Sequence, residues 1–330
     1  MSNIVFYATG GVSNIGGGSD IWVRDWIDCV SPNLDYDFEL VIDRDRLETD
    51  VDLGIKVTYK NDSGFYDIID KADDLHILHG YYEPNKVILE NQDKIRTNII
   101  HCLLYKSLEA HKDLDLEWLK HFDAETSWQE KLLDVSDKTI WIGLYKTKYH
   151  DDYNIIDIPN YYEFNVNKKA VDSNIVGFAA RMETRKAPHF LDNIDSIFFT
   201  RPDHVSEWRE NTNFTWKKTK FYQFRWERHH PFMMRDDWGI SHSAHLFEPF
   251  GYSIFQALDY GKIPIVSEDW LSDIRYDFRA SSKEKFDECY KNICDLSLGE
   301  KQTHIDELKH ELGIYTNKKE WVKQITKLYK

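Results

Sequence analysis

Short apolar runs recur along the chain, and most are followed by segments whose apolar residues fall at helical spacing. The first run, residues 3–8, is rich in β-branched and aromatic side chains and stops at Thr9-Gly-Gly, as buried strands often do. Residues 21–27 then carry Trp22 and Trp26 on one helical face. Further strands are predicted at residues 38–42, 75–78, 98–103, 124–127 and 139–144. This alternation predicts an α/β fold with an open parallel sheet and helices on both faces.

The alternation of predicted strands and helices is interrupted at residues 158–173, which are predicted to form an extended linker. It resumes with a strand predicted at 174–179. The second half then predicts a short helix at 188–194, a strand at 196–200, a strand or hairpin at 214–224, and helices at 284–296 and 303–330. A length of 330 residues suits two domains. We predict a first domain at 1–165 and a second domain at 166–330, with the last helix able to pack back on the first domain.

The segment from Glu248 to Ser267 predicts a loop, a helix and a buried strand in succession. Its turn places the backbone N–H groups of three residues at the start of the helix. Free N–H groups and the positive end of the helix dipole favour a bound diphosphate. The three residues are Phe250, Gly251 and Tyr252.

A second segment places Arg181 and Lys186 five residues apart, just beyond the strand predicted at 174–179. Ligands of open α/β sheets bind outside the carboxyl ends of the strands, so both cations are predicted to face the ligand crevice. Two basic residues in a loop are more often a solvated surface.

These two segments resemble the motifs of retaining glycosyltransferases with the GT-B fold, written E-P-F-G-x-x-x-x-E-A-x-x-x-G-x-P and G-R-x-x-x-x-K. The resemblance implies two Rossmann-like domains with a deep interdomain cleft, in which 1–165 is the acceptor-binding domain and 166–330 is the nucleotide-sugar-binding domain. It also implies a UDP-sugar donor and transfer with retention of configuration. Arg181 and Lys186 precede Glu248 in the family's usual order and at its usual distance, which favours a functional pair over a solvated surface. The resemblance implies that Arg181 and Lys186 clamp the diphosphate and that Glu248 faces the sugar hydroxyls. Gln256 replaces the second acidic residue of the motif and keeps hydrogen-bonding capacity for a ribose hydroxyl without the charge.

Three features of the first domain point to substrate contacts. Glycines allow close backbone approach to a phosphate or sugar, so Gly17 and Gly18 are candidate donor contacts, although a glycine cluster is also a common flexible turn. His79 and His101 each end an apolar run, where an imidazole can hydrogen-bond a sugar hydroxyl or exchange a proton. Most histidines in such places are structural. We take His101 as a candidate catalytic residue and His79 as a candidate acceptor contact.

Within the GT-B enzymes the chain is most similar to the DNA glycosyltransferases of T-even-like bacteriophages. The resemblance rests on the Arg181 to Lys186 spacing, on residues 257–266, and on the strands that end at His79 and His101. It implies transfer to 5-hydroxymethylcytosine in duplex DNA, in the cytoplasm of a host cell. A saccharide or a lipid-linked glycan is the alternative acceptor, and a non-catalytic nucleotide- or nucleic-acid-binding protein is the alternative class.

A basic and aromatic segment, residues 214–230, bears on this choice of acceptor. The formal net charge of −15 argues against a protein that coats nucleic acid through a general positive field. Basic groups can hold phosphates while aromatic rings stack on bases, but a half-buried strand with a charged solvent face gives the same alternation. The candidate acceptor-binding cations of this segment are Lys217, Lys218, Lys220 and Arg225.

The sequence predicts neither a metal nor a membrane segment. The histidine pairs at 229–230 and 242–245 lack cysteine or carboxylate partners at zinc spacing, so no metal is expected for donor binding. No apolar run approaches the roughly 20 residues of a membrane helix. The expected substrates are a UDP-sugar and an acceptor, with no cofactor.

Overall fold

A computed structural model describes residues 3–9, 18–48, 50, 54–79, 90–101, 128–180, 182, 186–201, 205, 206, 214, 216–224, 229–245, 248 and 250–330. The chain forms two compact units. The N-terminal unit comprises residues 1–160 together with 318–330, and the C-terminal unit comprises residues 161–317. No helix within the described ranges is long and apolar enough to cross a membrane.

The N-terminal unit contains a parallel seven-stranded sheet in the order β3-β2-β1-β4-β5-β6-β7. The order reverses direction between β1 and β4, which are neighbours in the sheet. Parallel neighbours need crossover connections, and these supply the helices that cover the sheet. The strands are β1 (Ile4–Ala8), β2 (Glu39–Ile42), β3 (Val57–Tyr59), β4 (Asp74–His79), β5 (Ile95–Ile100), β6 (Lys138–Trp141) and β7 (Ile155–Asp157).

The C-terminal helix of the chain belongs to this N-terminal unit. Its Trp321 ring lies 6.2 Å from that of Trp22, and Tyr329, which follows it, lies 5.0 Å from Phe6 on β1. These rings are buried, and each buried aromatic side chain contributes on the order of 2 kcal/mol of hydrophobic stabilisation. The helices of the unit are Gly18–Asp25 with its continuation Trp26–Val30, Phe65–Asp70, residues 128–135, Tyr149–Asp152 and Lys318–Leu328.

The C-terminal unit contains a parallel five-stranded sheet in the order β10-β9-β8-β11-β12. Its order reverses between β8 and β11. The strands are β8 (Val176–Phe178), β9 (Ser196–Thr200), β10 (Thr219–Gln223), β11 (Ile240–Ser243) and β12 (Ile263–Val266). The helices are Pro188–Leu191 (a 3-10 turn), His229–Met233, Tyr252–Asp259, Lys283–Cys294, Leu298–Glu311 and the 3-10 turn Leu312–Thr316.

The structure confirms most of the predicted elements and corrects two. The strand predicted at 196–200 is β9, while the strand predicted at 98–103 begins earlier, as β5. The single helix predicted at 303–330 is wrong, because the chain breaks at Leu312–Thr316 and starts a separate helix at Lys318. The hairpin alternative for 214–224 is also wrong, since β10 is one strand parallel to β9. The strand predicted at 124–127 lies outside the described residues.

The predicted linker has no helix or strand, and it is anchored to the helix Tyr252–Asp259. The backbone N–H groups of Asn165, Val166 and Asn167 donate to the carboxylate of Asp259 over 3.2, 3.0 and 2.7 Å. Asp259 is 2% exposed, so three donors satisfy a carboxylate that would otherwise be buried without partners. The linker therefore takes a defined path across the end of this helix.

Candidate functional site

The C-terminal unit has a topological switch point between β8 and β11. In open parallel sheets, the connections from the two strands at such a point go to opposite faces, and ligands bind beside the carboxyl ends of these strands. Ala179 follows β8, and Ala244 and His245 follow β11. The loops that carry the predicted donor residues therefore begin at one edge of one sheet.

Lys186, His245 and Glu248, which we call the Lys186 cluster, meet at this edge. The Lys186 Nζ lies 2.5 Å from Glu248 Oε2 and 3.3 Å from His245 Nδ1, and His245 Nδ1 lies 3.4 Å from the same carboxylate oxygen. The side chains of Lys186 and Glu248 are 13% and 20% exposed. Charge pairs that are largely removed from water interact more strongly than surface pairs. Two predicted site residues, distant in sequence, are thus brought together beside a third that sequence reasoning missed.

Gly251 forms the sharp turn that opens the helix Tyr252–Asp259. Its φ of 82° lies in the left-handed region, and a Cβ at this position would approach Ile254 Cδ1 to 2.8 Å and Trp270 Nε1 to 2.9 Å. Only glycine fits both the backbone conformation and the space. Because the first N–H groups of a helix lack carbonyl partners in the preceding turn of helix, a helix start of this kind is a common binding place for anions.

A half-buried arginine holds the loop that supports this turn. The guanidinium of Arg279 donates to the carbonyl oxygens of Trp270, Leu271 and Ile274, the last two over 2.6 and 2.9 Å. The Trp270 indole in turn donates to the carbonyl oxygen of Phe250 over 3.0 Å. Phe250 is 2% exposed, so its side chain belongs to the core and only its backbone is placed to serve a ligand. Sequence reasoning missed this support because the residues involved carry no motif.

Gln256 lines a small pocket next to the Lys186 cluster. The pocket is also bordered by His245, Ser241 on β11, and Ser253 in the first turn of the helix. The Gln256 amide makes no hydrogen bond to another residue within the described part of the chain, and its side chain is half-buried. Its donor and acceptor groups are therefore placed to meet a hydroxyl-bearing ligand.

The N-terminal unit has its own switch point, between β1 and β4, where Thr9 and two histidines gather. Thr9 Oγ1 lies 2.8 Å from His79 Nδ1, and the rings of His79 and His101 are 4.8 Å apart. His101 Nε2 donates to the carbonyl oxygen of Leu78 over 2.8 Å, which leaves a lone pair on its Nδ1. Burial lowers the pKa of His101 to about 4 and that of His79 well below its usual value. Both imidazoles are therefore neutral near pH 7.

The predicted acceptor-binding lysines lie at the opposite edge of the C-terminal sheet from the Lys186 cluster. Lys217 and Lys218 precede β10, an edge strand, and Lys220 lies on it; all three are exposed. Because the strands are parallel, the start of β10 lies at the amino edge, about 15 Å from the carboxyl edge. Trp216 is 2% exposed and donates its indole N–H to the carbonyl oxygen of Pro188. It is a core residue and is not available to stack on a base.

Several predicted site residues fall outside the described residues: Gly17, Arg181 and Arg225. Gly18 is described as the first residue of the helix Gly18–Asp25, which follows β1. Within the described ranges, no three histidine, cysteine, aspartate or glutamate side chains are grouped to hold a metal ion.

No family model matches the chain, and no curated protein matches it in sequence. Three solved structures illustrate what it resembles. Sucrose-phosphate synthase from Thermosynechococcus elongatus has a TM-score of 0.73 at 11% identity, covering 100% of this chain and 98% of that chain. An alpha-glucosyltransferase in complex with UDP and a 13-mer DNA has a TM-score of 0.59 at 11% identity, covering 100% and 99%.

The lipopolysaccharide outer core galactosyltransferase WaaB has a TM-score of 0.55 at 12% identity, covering 99% of each chain. Identities this low speak for the fold alone. Two parallel sheets of seven and five strands, each with the order reversal of a Rossmann domain, match these structures over the whole chain. The chain has the GT-B fold.

Proposed function

We propose that this protein is a retaining glycosyltransferase that uses a UDP-sugar donor. The observation that carries the proposal is the Lys186 cluster beside the Gly251 turn, at the switch point of the C-terminal sheet. A cation and the N-terminus of a helix there would share one anionic ligand. A nucleoside diphosphate has the charge for such a site.

In the proposed reaction, the bond between the sugar anomeric carbon and the UDP oxygen breaks as the acceptor oxygen attacks from the same face. The departing phosphate takes the acceptor proton, so atoms and charges balance without a separate base. Lys186, Arg181 and the helix start at Gly251 offset the charge that develops on UDP. Glu248 faces the sugar hydroxyls, and Gln256 contacts a ribose hydroxyl. Donor binding without a metal belongs to this proposal, and unchanged turnover in EDTA tests it.

We propose that the N-terminal unit receives the acceptor, with His79 and His101 as contacts. The Nδ1 lone pair of His101 can accept a hydrogen bond from an acceptor hydroxyl, because its Nε2 proton is committed to Leu78. A pKa of about 4 makes His101 a weak base, which fits a role in orienting the hydroxyl while the phosphate takes the proton.

As acceptor we propose 5-hydroxymethylcytosine in duplex DNA. Three exposed lysines on one edge of an acidic chain support it, as does the likeness in fold to an alpha-glucosyltransferase solved with UDP and DNA. The higher TM-score with sucrose-phosphate synthase favours the second candidate, a saccharide acceptor. The placement of the lysines at the amino edge means that they would hold DNA backbone away from the reacting base.

The test is a panel of UDP-sugars offered with hydroxymethylated duplex DNA, unmodified DNA and saccharide acceptors, read by nucleoside and oligosaccharide mass spectrometry. Sugar on hydroxymethylcytosine alone supports the DNA acceptor, and sugar on a saccharide alone refutes it. UDP binding without transfer or hydrolysis would instead favour a non-catalytic binding protein.

A lysine-to-alanine triple variant tests the DNA surface. We expect the slope of log binding constant against log salt to become shallower by up to about three, with UDP affinity unchanged. A matched triple variant of exposed lysines elsewhere should leave the slope nearly unchanged. A DNA-binding slope that is equal in both variants would remove the lysines from the acceptor site. The test set is Lys217, Lys218 and Lys220, and the control set is Lys285, Lys291 and Lys323.

A further inference from the structure

His245 is a buried residue of the Lys186 cluster, and its own environment holds it in place. It is 3% exposed and lies just beyond the carboxyl end of β11. Its ring packs edge-on against Phe178 at 6.4 Å and against His242 at 5.8 Å, and both of those rings lie on strands of the sheet. A side chain fixed in this way can hold a more flexible neighbouring side chain in one orientation.

The contact with Lys186 needs one tautomer of the ring. Lys186 Nζ is 3.3 Å from His245 Nδ1, and an ammonium can only donate. The tautomer that makes this contact is the neutral imidazole with its proton on Nε2, in which Nδ1 accepts from Lys186. Glu248 Oε2, 3.4 Å from the same Nδ1, accepts from Lys186 over a shorter distance.

We infer that His245 is a positioning residue that sets the direction of the Lys186 ammonium toward the diphosphate of the donor, an inference that rests on the proposed function. A lysine side chain has four rotatable bonds and loses substantial entropy when it is held. A hydrogen bond to Glu248 alone would fix the direction of one N–H of the Lys186 ammonium, and the group could still rotate about that bond. A second acceptor at Nδ1 defines the orientation of the whole ammonium group, so less of that entropy is lost when UDP binds.

Three substitutions separate the Nδ1 contact from mere packing. In His245→Asn the side-chain oxygen occupies nearly the position of Nδ1, so UDP affinity should stay within about threefold of wild type. In His245→Gln the amide reaches the position of Nε2, and in His245→Leu no acceptor remains. We expect both to weaken UDP binding up to about tenfold, the usual effect of having to order one flexible side chain on binding.

The decisive measurement is a double-mutant cycle in UDP affinity, by calorimetry, with Lys186→Ala as the second change. If His245 acts through Lys186, His245→Leu should have almost no further effect in the Lys186→Ala background. If its role is only structural, the same tenfold loss should appear in both backgrounds. Additive losses, or equal losses in the Asn and Leu variants, would overturn the inference. Should the Leu variant fail to fold, the comparison of the Asn and Gln variants decides the question.

Failure of the proposed function has a different signature. A folded wild-type protein that binds no UDP in the same calorimeter overturns the donor site and, with it, this role of His245. A wild-type protein that binds UDP and transfers sugar, combined with additive losses, overturns the role of His245 alone.

Discussion

Replacing Lys186 by alanine should lower the stability of the protein slightly and its activity strongly, because we expect the residue to contribute to both. In the folded protein its ammonium is paired with Glu248 at 2.5 Å, and the two side chains are 13% and 20% exposed. Removing one partner of a fully buried pair costs about 3–5 kcal/mol. Glu248 keeps some contact with water and with His245, so we expect a smaller loss in the free energy of unfolding, about 1–2 kcal/mol.

The effect on activity should be larger. Losing one electrostatic contact to a developing charge typically lowers the rate roughly a hundredfold or more, about 2.7 kcal/mol in the transition state. We would measure unfolding with urea and turnover by release of UDP. Glu248→Gln in the Lys186→Ala background should recover stability, since a neutral amide needs no cation, but it should not recover turnover.

The matched control is Lys283→Ala. Lys283 pairs with Asp287 one turn along a surface helix, and these side chains are 30% and 49% exposed. Exposed pairs of this kind contribute about 0.3–0.5 kcal/mol, so neither stability nor turnover should change much. Near-normal turnover of Lys186→Ala would refute the assignment of the donor site, and a loss of turnover matched by the control would show a general surface effect.

Three further expectations follow from the geometry. Gly251→Ala forces a Cβ into a left-handed turn within 2.8 Å of Ile254 Cδ1, so it should cost about 1–3 kcal/mol and weaken UDP binding, whereas Gly299→Ala, with nothing within 4 Å, should be nearly neutral. Gln256→Glu should preserve or tighten UDP affinity through a charge-assisted hydrogen bond; a large loss by calorimetry would show that Gln256 faces a different group. Burial lowers the pKa of His76 from 6.5 to about 4, so the unfolded chain binds more protons in that interval and the free energy of unfolding should fall as pH falls through it. Urea titrations across this range should show a shallower fall in His76→Asn, and an unchanged slope would contradict the burial argument.

The segment from Glu248 to Ser267 shows how much of a candidate site local sequence patterns can predict. The turn at Gly251 and the helix after it were predictable, since a glycine turn before an apolar helical run is a local signal. The resemblance to a known motif placed Lys186 and Glu248 at one donor site, but it did not predict the contact between their side chains, because a separation of sixty-two positions has no periodicity. His245 was missed as a site residue. A buried histidine after a strand looks the same in sequence whether it fills the core or contacts a lysine.

In the basic and aromatic segment, residues 214–230, the sequence pattern did not predict where the side chains lie. In sequence, Trp216 and the lysines beside it form one pattern. In the structure, Trp216 takes a left-handed backbone conformation with a φ of 41° and enters the core, while Lys217 and Lys218 remain in solvent. Alternation identifies a half-buried strand, but it does not say which edge of the sheet the strand occupies or which end faces the ligand.

The sequence by itself determined the alternation of strands and helices, and with it two parallel sheets, because hydrophobic periodicity and turn residues act over a few neighbouring positions. Only the tertiary structure decided the strand orders, the placement of the helix Lys318–Leu328 with the N-terminal unit, and the meeting of Lys186, His245 and Glu248. These depend on which buried surfaces fit together across long stretches of chain. Many residues that are distant in sequence contribute to the free energy of such packing, so it cannot be predicted from a pattern of a few neighbouring positions.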